Sequence, residues 1–330
     1  MNNLQGKHIL FFAPRFFGYE KEITNKLTAL GAYVDYYDER PGNSILSKAL
    51  LRLHAGSMAN TISTYYKKVI DTVKGNHYDF VFVVNAEAIT PEIISEMRLH
   101  FGTAKFILYM WDSMRNKKNT LTLHKSFDCT YSFDRLDAEN IPGINFRPLF
   151  FCDDYKPCTG TTEKYDLAFT GTGHADRFTI IDKIKKYAVK DSLSLFTFLY
   201  LHSPLIYFYL YYKDKEFRRK ASMKYFSFKP LKKEQMISII CSSKAVIDIQ
   251  HPNQIGLTMR TFELMALDKK IVTTNPDIVN YDFYMPENVY VIDRNAPYID
   301  AHFFTTPFKA IPAEIKQQYS IEAWLLAILK

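Results

Sequence analysis

The stretch "HILFFAPRFFGYEKEITNKLTALGAYVDYYDERP", residues 8–41, contains a strand, a helix and a second strand in succession. It begins with an apolar run, "HILFFAP", which is typical of a strand buried on both faces. An amphipathic segment follows and ends at Gly31, where glycine commonly terminates a helix. Residues 32–41 then favour another strand. This order of elements predicts a parallel sheet covered by helices.

The alternation of strands and helices continues and then restarts after a polar, turn-rich segment, "FFCDDYKPCTGTTEKY". Before this segment we expect further strands in "YDFVFVVNAE", "KFILYMWDS", "DCTYSFD" and "INFRPLFF", and mostly helix over residues 44–75 and 91–100. After it, strands are expected in "YDLAFTGTGH", "SLSLFTFLYL", "KAVIDIQHP", "KKIVTTN" and "NVYVID". The sequence therefore predicts two doubly wound α/β domains, residues 1–155 and 156–317.

The charge and composition of the chain exclude some classes of partner. The 330 residues carry a net charge of +7 and are 47% hydrophobic, as expected for a globular protein. The positive charge suits an anionic ligand or an anionic membrane surface. It is too small and too dispersed for nucleic-acid binding, and no zinc-finger or RNP-type motif is present.

The cysteines and the N-terminus predict a cytoplasmic location. Cys129, Cys152, Cys158 and Cys241 lack the spacing of a metal site, and the chain opens without a signal peptide. We therefore expect reduced thiols and a cytoplasmic protein.

Polar residues collect where the predicted strands end, which is where ligands bind in open α/β sheets. In the first domain these residues include Asp38, Glu87 and Asp112. In the second domain they include "TGTGH", Asp248 and Asn275. We expect the two groups to face each other across a cleft, which suits a reaction between two separate substrates.

The turn "TGTGH" leads into a helix and has the composition of an anion site. Its glycines, Gly171 and Gly173, allow a ligand to approach the backbone, while Thr172 and His174 add polar side chains. The following helix N-terminus and Arg177 favour negative charge. The alternative is a tight turn that binds nothing, and no complete dinucleotide or P-loop motif is present.

A second stretch, "GLTMRTFELMALDKKIVTTN" (residues 256–275), predicts a short helix, a turn and a strand. The helix is apolar almost all the way round and is therefore expected to be buried. Arg260 and Glu263 nevertheless lie one turn apart on it, and buried charges need partners. Arg260 can bind a phosphate and Glu263 can accept hydrogen bonds from ribose hydroxyls. Alternatively, the two residues pair with each other.

This second stretch resembles the nucleotide-binding segment of glycosyltransferases with the GT-B architecture. It is most similar to the bacterial polysaccharide and lipopolysaccharide group and to spore-maturation-type glycosyltransferases, with support from "AFTGTGHADR" and "YMWDS". The resemblance implies two Rossmann-like domains that face across a cleft, with the sugar nucleotide bound by the C-terminal domain. It also implies that a final helix, residues 318–330, crosses back to the first domain.

The resemblance further implies roles for single residues. Glu263 corresponds to the glutamate on the ribose, Arg260 to the basic residue near the diphosphate, and residues 171–174 to the phosphate-side loop. We add Thr258 and Asn275, at the strand mouth, to the predicted nucleotide-binding residues. Many retaining members carry a second glutamate eight positions before the first, where this chain has Ile255. A retaining mechanism is therefore not supported.

The expected chemistry is sugar transfer from a nucleotide-sugar donor to an acceptor hydroxyl, with no cofactor. No D-x-D motif lies at a strand end, so we expect cations and helix N-termini, and no metal, to stabilise the leaving diphosphate. An inverting enzyme needs a base, for which Glu87 and Asp112 are the first candidates and Asp38 the next. Each can equally cap a turn or pair with Arg15 or Arg40.

The aromatic segment "LFTFLYLHSPLIYFYLYY" is interrupted by His202, Ser203 and Pro204, which disfavours a membrane span. We expect a strand, a turn and then a helix from Pro204 that becomes basic at "KDKEFRRKASMK". This helix belongs either to the core or to an interfacial surface that rests on anionic lipid. The interfacial alternative uses the aromatic residues Tyr207, Phe208, Tyr209, Tyr211 and Tyr212.

The leading hypothesis is therefore a glycosyltransferase that transfers a sugar to a hydroxyl group of a glycan acceptor. We expect this acceptor to be lipid-linked and to belong to surface polysaccharide or lipopolysaccharide synthesis. A sugar-nucleotide 2-epimerase shares the double-Rossmann layout but needs no separate acceptor. A non-catalytic scaffold descended from a glycosyltransferase is the third alternative.

Overall fold

Twelve strands form two sheets of six, and every strand pairs in parallel with its neighbours, in the part of the chain that the structure describes. The structure is a computed structural model that describes residues 4–42, 58–117, 119–173 and 176–330. The predicted helical region 44–75 therefore lies partly outside the described residues.

The first compact unit contains residues up to Leu149 together with Ser320–Lys330. Its strands are β1 (His8–Ala13), β2 (Tyr33–Asp38), β3 (Phe80–Val84), β4 (Lys105–Met110), β5 (Cys129–Ser132) and β6 (Ile144–Phe146), in the spatial order β2-β1-β3-β4-β5-β6. Its helices are α1 (Tyr19–Ala29), α2 (Ala59–Val73), α3 (Pro91–His100), α4 (Thr120–Leu123), α5 (Arg135–Asn140) and the C-terminal helix (Ile321–Ile328). Two short 3-10 helices cover Met114–Asn116 and His124–Ser126.

The second compact unit comprises Phe150–Tyr319. Its strands are β7 (Tyr165–Thr172), β8 (Leu195–Tyr200), β9 (Phe226–Ser227), β10 (Ser243–Asp248), β11 (Lys270–Thr273) and β12 (Val289–Val291), in the order β12-β11-β10-β7-β8-β9. Its helices are α6 (Arg177–Lys190), α7 (Pro204–Lys213), α8 (Lys215–Lys220), α9 (Lys233–Cys241), α10 (Met259–Ala266), α11 (Ala301–Thr305) and α12 (Ala313–Gln318). The 3-10 helices are Met223–Tyr225 and Pro276–Asn280.

The central strands of the first sheet are buried on both faces, as their apolar runs predict. All five residues of β3 are buried, and in β1 only His8 is exposed. Phe11 of β1 stacks on Phe82 of β3 with ring centroids 5.3 Å apart. This packing places the carboxyl ends of β1 and β3 side by side.

The C-terminal helix, which we now call α13, is held on the first unit by one apolar face. Ile321, Trp324, Leu325 and Ile328 recur at helical spacing and are all buried. The Trp324 ring meets Tyr109 of β4 edge-to-face at 4.7 Å between centroids. Ser320 caps the helix by accepting a hydrogen bond from the Ala323 amide at 3.1 Å. The residues at 320–330 thus contribute to the core of the first unit.

The expectation that all four cysteines are reduced is wrong. Cys158 and Cys241 form a disulfide, whereas Cys129 and Cys152 form none with the described part of the chain. The bond joins the polar segment that precedes β7 to the last residue of α9. The two cysteines are 83 positions apart, so sequence spacing did not indicate the pair.

Helix α7 is too short to cross a bilayer. No helix in the described part of the chain is both long enough and apolar enough to do so. The predicted break at Pro204 is observed, since this proline is the first residue of α7. Tyr207 is buried among Phe217 and Phe226, so for this residue the core alternative holds and the interfacial one does not.

Candidate functional site

The strand order of the second sheet changes direction between β10 and β7. From β7 the chain adds β8 and β9 on one side, and it then adds β10, β11 and β12 on the other. Ligands of doubly wound folds bind beyond the strand ends at such a reversal. The residues that follow β7 and β10 therefore define the candidate site of this unit.

Arg177 spans this reversal. Its Nε donates to the Ile249 carbonyl beyond β10 at 2.9 Å, and its Nη1 donates to Thr172 Oγ1 of β7 at 2.5 Å. Burial lowers the pKa of Arg177, and the charges of Arg294 and Arg260 also act to lower it, while Asp248 and Asp176 oppose them. An arginine keeps its proton in proteins, so a positive charge is held between the two strand ends.

Asp248 ends β10 as a buried carboxylate. Thr258 Oγ1 donates to it at 2.8 and 2.9 Å from its two oxygens, and Thr261 Oγ1 donates at 2.5 Å. Burial raises the pKa of Asp248, although both hydroxyl groups and the nearby Arg177 and Arg260 act to lower it. Because Thr258 precedes α10, these bonds fix the start of that helix at the strand mouth.

Arg260 and Glu263 of α10 pair with each other in this structure, with 3.3 Å between Nη1 and Oε2. The side chain of Glu263 is 3% exposed and that of Arg260 is 18% exposed. Burial raises the pKa of Tyr155, and the charge of Glu263 and a hydrogen bond to its carboxylate raise it further. Tyr155 is thus a second partner of Glu263, which answers how the buried helix tolerates its charges.

The other predicted nucleotide-binding residues have structural contacts in the same unit. The Asn275 side chain donates to the Ile255 carbonyl at 2.8 Å and accepts from the Asp277 amide at 3.0 Å. At Gly173 an added Cβ would lie 2.6 Å from the Phe226 ring, so packing alone requires glycine there. At Gly171 it would lie 2.9 Å from the Phe169 ring. His174 lies outside the described residues, and nucleotide binding by the others stays a prediction.

Arg294 and Tyr155 are residues of this region that the sequence did not indicate. Arg294 pairs with Asp176, next to α6, and donates to the Gln250 carbonyl beyond β10. Arg294 follows the short strand β12 and is 118 positions from Asp176, so neither periodicity nor a motif marked it.

In the first unit the order of strands reverses between β1 and β3. The three predicted base candidates belong to one network of charges: Asp38 ends β2, Glu87 follows β3 and Asp112 follows β4. Arg15 and Arg40 pair with Asp38, with nitrogen–oxygen distances of 3.4 and 3.9 Å. Arg40 also lies 3.7 Å from Glu87. The structure therefore brings the predicted candidates together with the two arginines that the sequence named as their alternatives.

Lys117 connects Glu87 with Asp112, the third carboxylate of this network. Its Nζ lies 2.6 Å from Glu87 Oε1 and 3.7 Å from Asp112 Oδ2. Asn85 donates to both carboxylates at 3.3 Å, from a left-handed backbone with φ of 54°. The Asp112 side chain is 43% exposed, whereas Glu87 and Asp38 are nearly buried. Asp112 is thus the most accessible of the three carboxylates.

Glu39 is a buried carboxyl that sequence reasoning passed over between Asp38 and Arg40. Its Oε1 accepts hydrogen bonds from the amides of Glu87, Ala88 and Ile89 at 2.8, 2.6 and 2.9 Å. Burial raises the pKa of Glu39 to about 8, against the effect of these amides. Glu39 therefore anchors the loop that carries Glu87.

Within the described ranges, no cluster of three or more histidine, cysteine, aspartate or glutamate side chains has the arrangement of a metal site.

Comparison with solved structures places this architecture. A sucrose-phosphate synthase from Thermosynechococcus elongatus superimposes with a TM-score of 0.58 and 9% identity, over 98% of this chain and 92% of that one. The fold is GT-B. A spinosyn rhamnosyltransferase, SpnG, complexed with thymidine diphosphate matches with a TM-score of 0.46 and 9% identity, over 98% and 95% of the two chains. No family model and no curated protein sequence matches the chain.

Proposed function

We propose that this protein is a glycosyltransferase that moves a sugar from a nucleotide-sugar donor to a hydroxyl group of a glycan. The proposal depends on one observation above all: the chain has the GT-B fold, and an arginine joins the two strand ends at the reversal in the second sheet. The likeness to solved structures concerns the fold alone, so the activity rests on the site and on the sequence resemblance. We further propose that the acceptor is a lipid-linked glycan and that the reaction belongs to surface polysaccharide or lipopolysaccharide synthesis.

The donor is proposed to bind at the strand mouth of the second unit. Arg260 and Arg177 are cations that suit a diphosphate, and Glu263 suits the vicinal hydroxyls of a ribose. Without donor, the Arg260–Glu263 pair keeps two buried charges satisfied. Donor binding would replace this contact by charge-assisted hydrogen bonds to the nucleotide. The phosphate-side loop at 171–174, together with Thr258 and Asn275, completes the proposed donor site.

The base is proposed to be Asp112. A general base must reach the acceptor hydroxyl directly or through one water molecule. Asp112 is the most exposed of the three candidate carboxylates, while Glu87 is held close to both Lys117 and Arg40. Asp112→Asn should therefore reduce transfer more than Glu87→Gln or Asp38→Asn. A larger loss for either of the other variants would move the assignment to that residue.

Helix α7 is proposed to rest on an anionic membrane surface, as access to a lipid-linked acceptor requires. Four of its large side chains are exposed at i, i+3, i+4 and i+7 spacing: Leu205, Phe208, Tyr209 and Tyr212. Exposed basic residues follow them, namely Lys213, Lys215, Arg218 and Arg219. An exposed aromatic stripe beside basic residues is the pattern of an interfacial helix.

A panel of nucleotide sugars tests the proposed activity. We expect one donor to be hydrolysed slowly without acceptor, releasing nucleoside diphosphate and free sugar, and faster transfer when an acceptor glycan is present. Formation of an epimeric nucleotide sugar would instead identify a 2-epimerase. If no donor is bound and none is turned over, the proposal is rejected and the non-catalytic scaffold is favoured.

A further inference from the structure

Three aromatic rings form a surface at the carboxyl end of the first sheet, in the loops that follow β1 and β4. Phe16 meets Phe17 edge-to-face at 4.7 Å between ring centroids, and it lies 5.8 Å from the Trp111 ring. Phe16 is 47% exposed and Phe17 is 59% exposed, while Trp111 is half-buried. We call Phe16, Phe17 and Trp111 the aromatic surface. Large apolar side chains that remain exposed together often mark a binding site.

The backbone that carries this surface is held in an unfavourable conformation. Phe17 has a φ of 51°, in the left-handed region that residues with a Cβ rarely adopt, and Gly18 follows with a φ of 86°. For a residue other than glycine, this backbone conformation raises the free energy of the folded state by about 1 kcal/mol or more. The Phe16 amide donates to the nearly buried carboxylate of Glu20 at 3.1 Å, and Arg40 Nη2 donates to the Arg15 carbonyl at 3.0 Å. Buried anchors therefore keep the loop in place and Phe17 exposed.

Polar groups of both kinds border the aromatic surface. Asp112 follows Trp111 directly, and its carboxylate is partly exposed and 3.3 Å from Asn85 Nδ2. Arg15 precedes Phe16, and its side chain is 66% exposed. A ligand on the rings can thus reach an acceptor and a donor of hydrogen bonds.

We propose that the aromatic surface binds a pyranose ring of the acceptor glycan. One face of a pyranose carries C–H groups with a small positive charge, which suits the negative face of an aromatic ring. The rim of the same sugar carries hydroxyl groups, which suit Asp112 and Arg15. The aromatic surface would therefore place an acceptor hydroxyl next to the carboxylate proposed as the base. This inference rests on the proposed function, but it concerns different residues from the donor site.

The two tryptophans allow a direct test by nuclear magnetic resonance. Trp111 belongs to the aromatic surface, whereas Trp324 is fully buried in the core of the first unit. The full-length protein, labelled with ¹⁵N, is titrated with methyl glycosides of glucose, galactose, mannose and N-acetylglucosamine. We expect at least one glycoside to shift the indole signal of Trp111 in a saturable way, while the Trp324 signal stays constant. No response of Trp111 across the panel would overturn the inference.

Substitutions separate a binding role from a structural one. Phe17→Gly removes the ring and suits the positive φ, so we expect glycoside affinity to fall about fivefold or more while the melting temperature does not fall. Phe16→Ala should weaken binding similarly. Tyr33→Ala, which removes an exposed ring at the other end of the same sheet, should change nothing. Unchanged affinity in Phe17→Gly would reject the proposal, as would a Trp111 shift produced by a prenol detergent but by no glycoside.

The outcome is distinguishable from failure of the proposed function. Donor hydrolysis depends on the second unit and needs no acceptor. If a nucleotide sugar is hydrolysed but no glycoside perturbs Trp111, only the aromatic surface is rejected. If no donor is bound or hydrolysed, the proposed function fails, whatever the response of Trp111.

Discussion

At the scale of single residues, both units keep ionisable groups buried by giving each one several partners. Glu263 contacts Arg260 and Tyr155, and Asp248 accepts hydrogen bonds from two threonine hydroxyls. Glu39 instead uses three backbone amides. Removing one partner leaves the buried group with an unsatisfied hydrogen-bonding atom or charge. This loss destabilises the fold more than the loss of a surface contact does.

Glu263→Ala should weaken the binding of a nucleoside diphosphate at least about tenfold, because charge-assisted hydrogen bonds to the ribose are worth roughly 1.5–3 kcal/mol each. Isothermal titration calorimetry on protein with an unchanged circular dichroism spectrum measures this loss. Glu216→Ala is a matched control, since Glu216 forms an exposed i,i+4 pair with Lys220 in the same unit. Unchanged binding in folded Glu263→Ala would contradict the assignment of Glu263 to the donor.

Glu39→Gln should increase stability, and the increase should grow from about pH 5 to about pH 8. The pKa of Glu39 is raised from 4.5 to about 8, so the folded state holds a proton that the unfolded state releases. The stability of the wild type therefore falls as the pH rises through this range. One unit of pKa shift corresponds to about 1.4 kcal/mol. Melting temperatures at a series of pH values test the prediction.

Glu139→Gln, which changes an exposed carboxylate of the same unit, is the control for Glu39→Gln. It should leave the difference from the wild type nearly independent of pH. A constant difference for Glu39→Gln as well would show that Glu39 is ionised in the folded protein throughout this range.

At the scale of elements, α7 has the most unusual division of faces. Tyr207 packs into the core of the second unit, while the residues at i, i+3, i+4 and i+7 from Leu205 remain exposed. Helix α8 begins at an Asp214 cap, whose carboxylate accepts from the amides of Glu216 and Phe217 at 2.8 and 3.0 Å. This cap fixes where the basic residues of α8 follow the aromatic stripe.

Vesicle co-sedimentation tests the contact of α7 and α8 with lipid. Binding to anionic vesicles should be measurable at low salt and weak at high salt, because each basic residue near an anionic surface is worth about 1 kcal/mol. Replacing Arg218 and Arg219 by Gln should weaken it roughly thirtyfold. Lys67 and Lys68, exposed on α2, are the matched pair for a control with the same change of charge. Equal loss in both double variants, or no binding by the wild type, would place α7 outside any membrane contact.

At the scale of the whole molecule, the disulfide constrains the second unit more than any single hydrogen bond. It closes a loop with a sequence separation of 83. Loop-closure entropy assigns a link of this size about 4–5 kcal/mol. Chemical denaturation of Cys158→Ser, or of the wild type with a reducing agent, should show this loss. Cys129→Ser is the control, because Cys129 is free. An unchanged midpoint under reducing conditions would show that the bond contributes little to stability.

Turnover should persist in excess EDTA. The proposed donor site meets phosphate charge with Arg260, Arg177 and helix N-termini, which need no divalent ion. The assay compares donor hydrolysis with and without EDTA, and then after addition of Mg²⁺ or Mn²⁺. Complete loss of turnover with rescue by either ion would reject a metal-independent mechanism.

Local patterns were sufficient for the central strands of this protein and for the start of one helix. The apolar runs of β1 and β3 predicted buried strands, whereas α13 was expected from the family resemblance. Pro204 correctly predicted the start of α7. These predictions succeed because the period of the apolar residues, the caps and the prolines act within a few positions of the chain.

The sequence by itself thus determined the two α/β units and the buried, charged helix α10, whereas only the tertiary structure decided which side chains meet. The disulfide, the Arg294–Asp176 pair and the Tyr155–Glu263 contact each join residues far apart in the chain. Such contacts depend on the order of strands in the sheet and on loop paths, which local periodicity does not encode. For the same reason the aromatic surface became visible only when the tertiary structure brought the loops after β1 and β4 into contact.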